Sequence, residues 1–302
     1  MNIPDNLHKV PKVLRRYTKA SVRHPVTMTR EWASFYRRCL VGEKKRSDDG
    51  IFFEVNCFSE FSQKPRGPRL SEIINNLIKM DVGICSIADN GNSEAFDTLC
   101  DEESRRNTLD WRHSRYVFDI DSDGRSMVVS HQDQELVLLR SIRYMTEKGE
   151  ISVHGYRGKF PNEKMSLRDA VRQGIDLGGF VILNRPFHWK GVGDNGYWAL
   201  NKAIDAGACA LEKSATEIGP MIYSGVMVEH VAKRFGIPIV ASGSASQGYL
   251  FDRSGPVFNE REYKRALGDH AGNHASAIRD LVVEGKFTNH FNYAKPLDLV
   301  RF

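Results

Sequence analysis

Residues 178–187 read GGFVILNRPF. The two glycines end whatever precedes them. Phe180 to Leu183 form a short unbroken apolar run, as in a strand covered on both faces. The run stops abruptly at Asn184, where polar residues begin. Upstream, Ser166 and Asp169 are spaced as a capping box that opens a helix with Leu167, Ala170, Val171 and Ile175 facing inward. Downstream, ACAL (208–211) and IPIVA (237–241) repeat the pattern, with a helix carrying Met227, Val228, Val231 and Phe235 between them. Helix, apolar strand and polar strand end recur, which predicts βα units around a mainly parallel sheet.

The same reading extends toward the N-terminus. IFFEV (51–55) is a first strand, Ser71 can cap a helix whose inner face is Ile73, Ile74, Leu77 and Ile78, and VGICSIA (82–88) is a buried strand. Residues 115–156 read differently. YVFDIDSDGRSMVV predicts a hairpin about 122–124, and the following stretch predicts two strands turning at Lys148 and Gly149. In a βα-barrel the strand ends form the functional rim. The residues to inspect are therefore Asn56 to Phe58, Asp89 and Asn90, Asn184 to His188, Glu212 and Lys213, and Ser242 to Ser246.

The 302 residues are 41% hydrophobic and 27% charged, which suits a globular chain with a substantial core. No apolar run reaches the ~18 residues a membrane helix needs, and the first residues are charged, so a cytoplasmic protein without membrane contact is expected. Five widely spaced cysteines form no CxxC and argue against a disulfide framework. Residues 1–50 hold 12 Lys and Arg against 5 Asp and Glu, whereas the remainder is nearly balanced. That division predicts a basic N-terminal arm, 1–50, and a barrel domain, 51–302. The arm could contact nucleic acid, a protein partner or a second copy, or be only a solvated basic helix.

Local motifs add little chemistry. Asp119, Asp121, Asp123 and Gly124 imitate a calcium loop, but Ser130 stands where its bidentate glutamate belongs, so a hairpin turn is expected. His270 and His274 are one helical turn apart with no third ligand in view, which favours a solvated helix face. GVGDNG (191–196) lacks the strand and helix that a dinucleotide loop requires and reads as a mobile rim loop. GxSxG, HExxH, GxxxxGK[ST] and kinase signatures are all missing from the sequence.

Read together, the strand ends resemble the PHP family of polymerase-associated and histidinol phosphatase domains. EVNCFSEFS (54–62) is similar to that family's DLHxHSxxS, SIADNGN (86–92) to TDHN, GGFVILNRPF to GGxxVxxHPF, and GIPIVASGSAS (236–246) to GxPxVAGSDAH. MTEKGEISVHGY (145–156) matches the region after the family's glutamate motif, and ALEKSATE (210–217) corresponds loosely to a later strand. The resemblance covers about residues 50–250. It implies a distorted (β/α)7 TIM-like barrel of the PHP type, with a two- or three-metal phosphoesterase centre built from His, Asp and Glu.

Those ligand positions differ here. The opening histidines correspond to Asn56 and Phe58, the next to Asn90 after a retained Asp89, the His before Pro to Arg185, and the last Asp and His to Ser244 and Ser246. If SIRYM aligns with GxExx, its glutamate has become Arg143; a shifted alignment keeps Glu135. Phenylalanine and arginine cannot donate to a metal, and asparagine and serine are weak ligands. The expectation is a barrel without cofactor, more a binding or assembly module than an enzyme. Arg143, Arg185, His188 and Lys213, with Asn56, Asn90, Ser244 and Ser246, would contact an anionic or phosphate-containing ligand. Two alternatives stay open: a phosphoesterase rebuilt on Asp89, His154, His188 and Glu212 with Mn, Fe or Zn, and a nucleic-acid-associated accessory protein.

Overall fold

The computed structural model describes residues 50–62, 67–109, 116–188, 191–195, 197–214, 222–243 and 254–291. The basic arm and Ser244 and Ser246 lie outside the described residues.

The expected alternation is present. The strands β1 (Gly50–Cys57), β2 (Ile84–Asn90), β3 (Val117–Ile120), β4 (Ser126–His131), β5 (Gln134–Thr146), β6 (Gly149–His154), β7 (Phe180–Leu183), β8 (Ala210–Ser214), β9 (Ile239–Ser242), β10 (Ser254–Asn259) and β11 (Thr288–Phe291) form one mixed sheet. Its path runs β11-β10-β1-β2-β5-β6-β7-β8-β9, with the β3/β4 hairpin hanging from β5. Two parallel arcs, β1-β2-β5 and β7-β8-β9, are joined by the antiparallel β6. The sheet is therefore mixed rather than mainly parallel, because the short turn at Glu147 and Lys148 leaves no room for a crossover helix.

The ends of the path almost meet, giving a nearly closed barrel. Asn289 on β11 substitutes for the missing ladder: its side chain accepts the Ala241 amide at 2.8 Å and donates to the Ile239 carbonyl at 2.7 Å. Among the described residues the helices are α1 (Leu70–Lys79), α2 (Glu94–Cys100), α3 (Glu102–Thr108), α4 (Leu167–Asp176), α5 (Tyr197–Asp205), α6 (Ile222–Phe235), α7 (Glu260–Asp269) and α8 (His274–Val283).

The α1 stripe Ile73, Ile74, Leu77 and Ile78 is buried as expected, but the helix begins two residues early, after Arg69, so Ser71 does not cap it. Ser166 caps α4 through the Asp169 amide. Ile175 is exposed instead of inward, since Gly174 fills the buried position against Val153 and Val181, where a side chain would clash.

The Asp121 to Gly124 segment is a hairpin turn. Arg125 anchors it, donating to Gly178 O, Asn273 Oδ1 and Ser276 Oγ while paired with Asp123. His270 is the C-terminal cap of α7 and His274 the first residue of α8, the two split at Gly272 (φ +85°). His270 meets Asp280 at 2.7 Å and His274 meets Tyr263 at 2.6 Å, so neither faces the other as a clip. Gly191 to Gly193 are buried against the 185–187 backbone, which corrects the expectation of a loose rim loop at that point.

Candidate functional site

At the end of β1 the register with β2 shifts between Glu54 and Cys57. Such a bulge re-aims side chains at a sheet rim. Asn56 sits within it, fully buried, and neither polar atom of its amide has a hydrogen-bond partner. Phe58 follows, and its ring centre lies 4.5 Å from the guanidinium carbon of Arg143 on β5. Arg143 is itself buried. Its Nε stands 2.8 Å from Glu150 Oε1 on β6, while its Nη2 makes no hydrogen bond. Burial pulls the Arg143 pKa below the usual arginine value; Glu150 opposes this, Arg185 reinforces it and Glu212 opposes it. Phe58 is thus no metal ligand but part of the seat of a guanidinium, a favourable cation–π arrangement.

From Glu150 a hydrogen-bond chain descends into the barrel, and its direction follows from chemistry. A carboxylate paired with Arg143 can only accept, so Asn184 turns its nitrogen to Glu150 Oε1 (3.2 Å). The Asn184 oxygen then accepts from Ser152 Oγ at 2.8 Å. Ser152 has spent its proton, so His154 Nε2, 2.7 Å away, must be the donor. His154 Nδ1 is left to accept from Ser86 Oγ at 2.5 Å, and Ser141 completes the cluster. This assigns a neutral Nε2–H imidazole. Burial, with a smaller contribution from Arg143, pushes its pKa down to about 3, in agreement. Phe180 stacks on the ring with centroids 5.2 Å apart.

The other expected residues divide. The Arg185 amide donates to Glu212 Oε2 at 3.0 Å, placing β7's end beside β8, and its guanidinium is close enough to influence Arg143. Asp89 accepts from the Ser59 amide at 2.7 Å and the Ser59 hydroxyl at 2.5 Å; burial raises its pKa to about 6, against those hydrogen bonds. The charges acting most strongly on it are Glu94 and Glu60. Lys213 pairs with Glu229 at 2.5 Å and lies over the Phe291 ring, away from the role expected for it. The Asn90 amide donates to Ser62, and the His188 amide closes a turn onto the Arg185 carbonyl. Glu135 pairs with Ser130 in the β4/β5 ladder, a strand away from the rim.

Sequence reasoning missed Glu150 and Ser152. Their signal was present in GEISVH, where Glu150, Ser152 and His154 alternate with apolar Ile151 and Val153, the period of a strand with one polar face.

A PHP-type centre would ask these positions for several free imidazole and carboxylate donors. Among the described residues no three His, Cys, Asp or Glu side chains gather as such a group. Both His154 nitrogens are engaged with serines, Asp89 holds Ser59, Glu150 holds Arg143, and a guanidinium occupies the rim. This donor set does not fit a two- or three-metal centre.

No family model matches the chain, and no curated protein matches it in sequence. Solved structures match its fold. A two-domain protein from Bacteroides vulgatus containing a predicted PHP-like metal-dependent phosphoesterase superposes with a TM-score of 0.52 at 11% identity, over 83% of this chain and 70% of that one. PsfC from Pseudomonas syringae gives 0.50 at 12% identity, over 70% of this chain and 82% of that one. The class defined by sheet and comparison together is the PHP-type TIM-like barrel, as the resemblance implied. The kinship is one of fold.

Proposed function

We propose that this chain is a PHP-type barrel whose mouth binds an oxyanion through Arg143 and Arg185, and that it serves as a binding module rather than a hydrolase. The observation that supports this best is the buried Arg143 donor Nη2 without a hydrogen-bond partner, on the barrel rim that also carries the unpartnered Asn56 amide. A buried donor left unmade costs about 1–3 kcal/mol, and an oxyanion could accept from both Arg143 Nη2 and the Asn56 Nδ2 donor. A guanidinium held from one side by Glu150 keeps its other edge for a planar or tetrahedral anion.

The test is calorimetric titration of inorganic phosphate at pH 6 into the full-length protein, with elemental analysis of protein purified with Mn, Fe and Zn supplied and no chelator. Arg143→Met and Arg185→Met are each expected to weaken binding by about tenfold or more. Metal is expected below about 0.1 equivalent per chain. One tightly held equivalent with phosphoesterase turnover would replace this reading with a metal enzyme built on Asp89, His154, His188 and Glu212.

A further inference from the structure

Among the described residues, the charges that act on Arg143 and its own charge are balanced. Arg143 and Arg185 bring two positive charges, and Glu150 and Glu212 bring two negative ones within reach of the same guanidinium. Lys213 contributes nothing to this balance because Glu229 holds it elsewhere, and Asp89 lies in the field of Glu94 and Glu60. Clefts that take polyanions normally carry an excess of one sign; among the described residues this one carries directional donors without net charge.

We infer that the mouth selects a singly charged oxyanion, a phosphodiester or a carboxylate, over a doubly charged phosphate monoester, and that Glu150 sets the preference. The inference rests on the reading of the mouth as an oxyanion site. A monoanion can use Arg143 Nη2 and the Asn56 amide while its one charge is matched by one guanidinium. A dianion places its second charge against Glu150 or Glu212. Glu150 cannot swing away to relieve this, because Asn184 holds the same Oε1 that pairs with Arg143, and Ser152 and His154 hold Asn184. Asn184 is therefore a positioning residue for the selecting carboxylate.

The experiment compares three small probes on the full-length protein at pH 8 by calorimetry or ligand-observed NMR: dimethyl phosphate, acetate and methyl phosphate. At that pH the first two carry one charge, and methyl phosphate carries nearly two, its second pKa being about 6. Dimethyl phosphate or acetate is expected to bind about tenfold or more tightly than methyl phosphate, and whichever monoanion is stronger assigns the source as diester or carboxylate. Glu150→Gln is expected to reverse the order by strengthening methyl phosphate well beyond its smaller effect on the monoanions, whereas Glu150→Asp keeps the monoanion preference. Glu212→Gln removes the second negative charge while keeping an acceptor for the Arg185 amide, and it serves if Glu150→Gln does not fold.

A mere packing role for Glu150 would shift all probes together. Equal or tighter binding of methyl phosphate by the unaltered protein overturns the inference and leaves the oxyanion site standing. Binding of none of the three, nor of inorganic phosphate, overturns the site and the inference with it.

Discussion

Arg185 has a backbone φ of +33°, in the left-handed region that a side chain with a Cβ avoids. Its neighbours enforce this: its amide is tied to Glu212, its carbonyl accepts from His188, and Gly191 packs so closely that a Cβ there would lie 2.2 Å from the Arg185 oxygen. Strain of this kind, about 1–2 kcal/mol, gathers at functional positions where something else over-determines the backbone. Arg185→Gly is accordingly expected to leave stability unchanged or raise it by up to about 1 kcal/mol, the relieved strain being partly offset by the looser unfolded chain. It should also weaken the binding of the small anions. Chemical denaturation and titration of the same variant check both halves. A clear loss of stability would show that the arginine side chain holds the rim together.

Among the elements, those with unbroken apolar runs were legible. β1, β2, β7 and β9, the α1 stripe and the α4 cap could all be read because burial on both faces or a 3.6-residue period leaves a local trace. β10 and β11 left none. SGPVFN carries a glycine and a proline, TNHF is largely polar, and both strands owe their existence to β1 and to each other. The candidate site divides in the same way. Arg185 was found because it follows a strand end, and Arg143 because SIRYM resembles the family's glutamate motif; the Arg143 to Glu150 pair was not, since opposite charges seven residues apart meet only after the β5/β6 turn has folded back.

β11 also supplies the clasp of the barrel. Asn289→Ala removes both hydrogen bonds to β9 and leaves the Ala241 amide and Ile239 carbonyl unmet, so it should cost about 1–3 kcal/mol. Hydrogen exchange at the Ala241 amide should accelerate more than exchange in β2 or β5. Equal acceleration in all strands would mean that the seam does not open separately.

For the molecule as a whole, the His154 cluster predicts how stability depends on pH. The imidazole titrates near 6.5 when unfolded and near 3 in the fold. Between those values the unfolded chain carries a proton that the native one does not, so the contribution of His154 is intact above about pH 6.5 and declines as pH falls toward 3. Its steepest slope is about 1.4 kcal/mol per pH unit. A His154→Gln variant should show a flatter profile across that window when denaturation midpoints are compared from pH 7 to pH 4. Parallel profiles would mean that the ring charges within the fold.

The pairing of β1 with β10 has a further consequence for how the chain is made. Phe52 waits for Val257, about 200 residues later. At a synthesis rate of about 5–20 residues per second, that is roughly 10–40 s during which one edge of the first strand has no neighbour. Arg125 likewise finds Asn273 and Ser276 only about 150 residues later. The nascent barrel is thus a rolled sheet with an open lip, exposed to holdase chaperones, or to pairing with another nascent copy, until β10 has emerged.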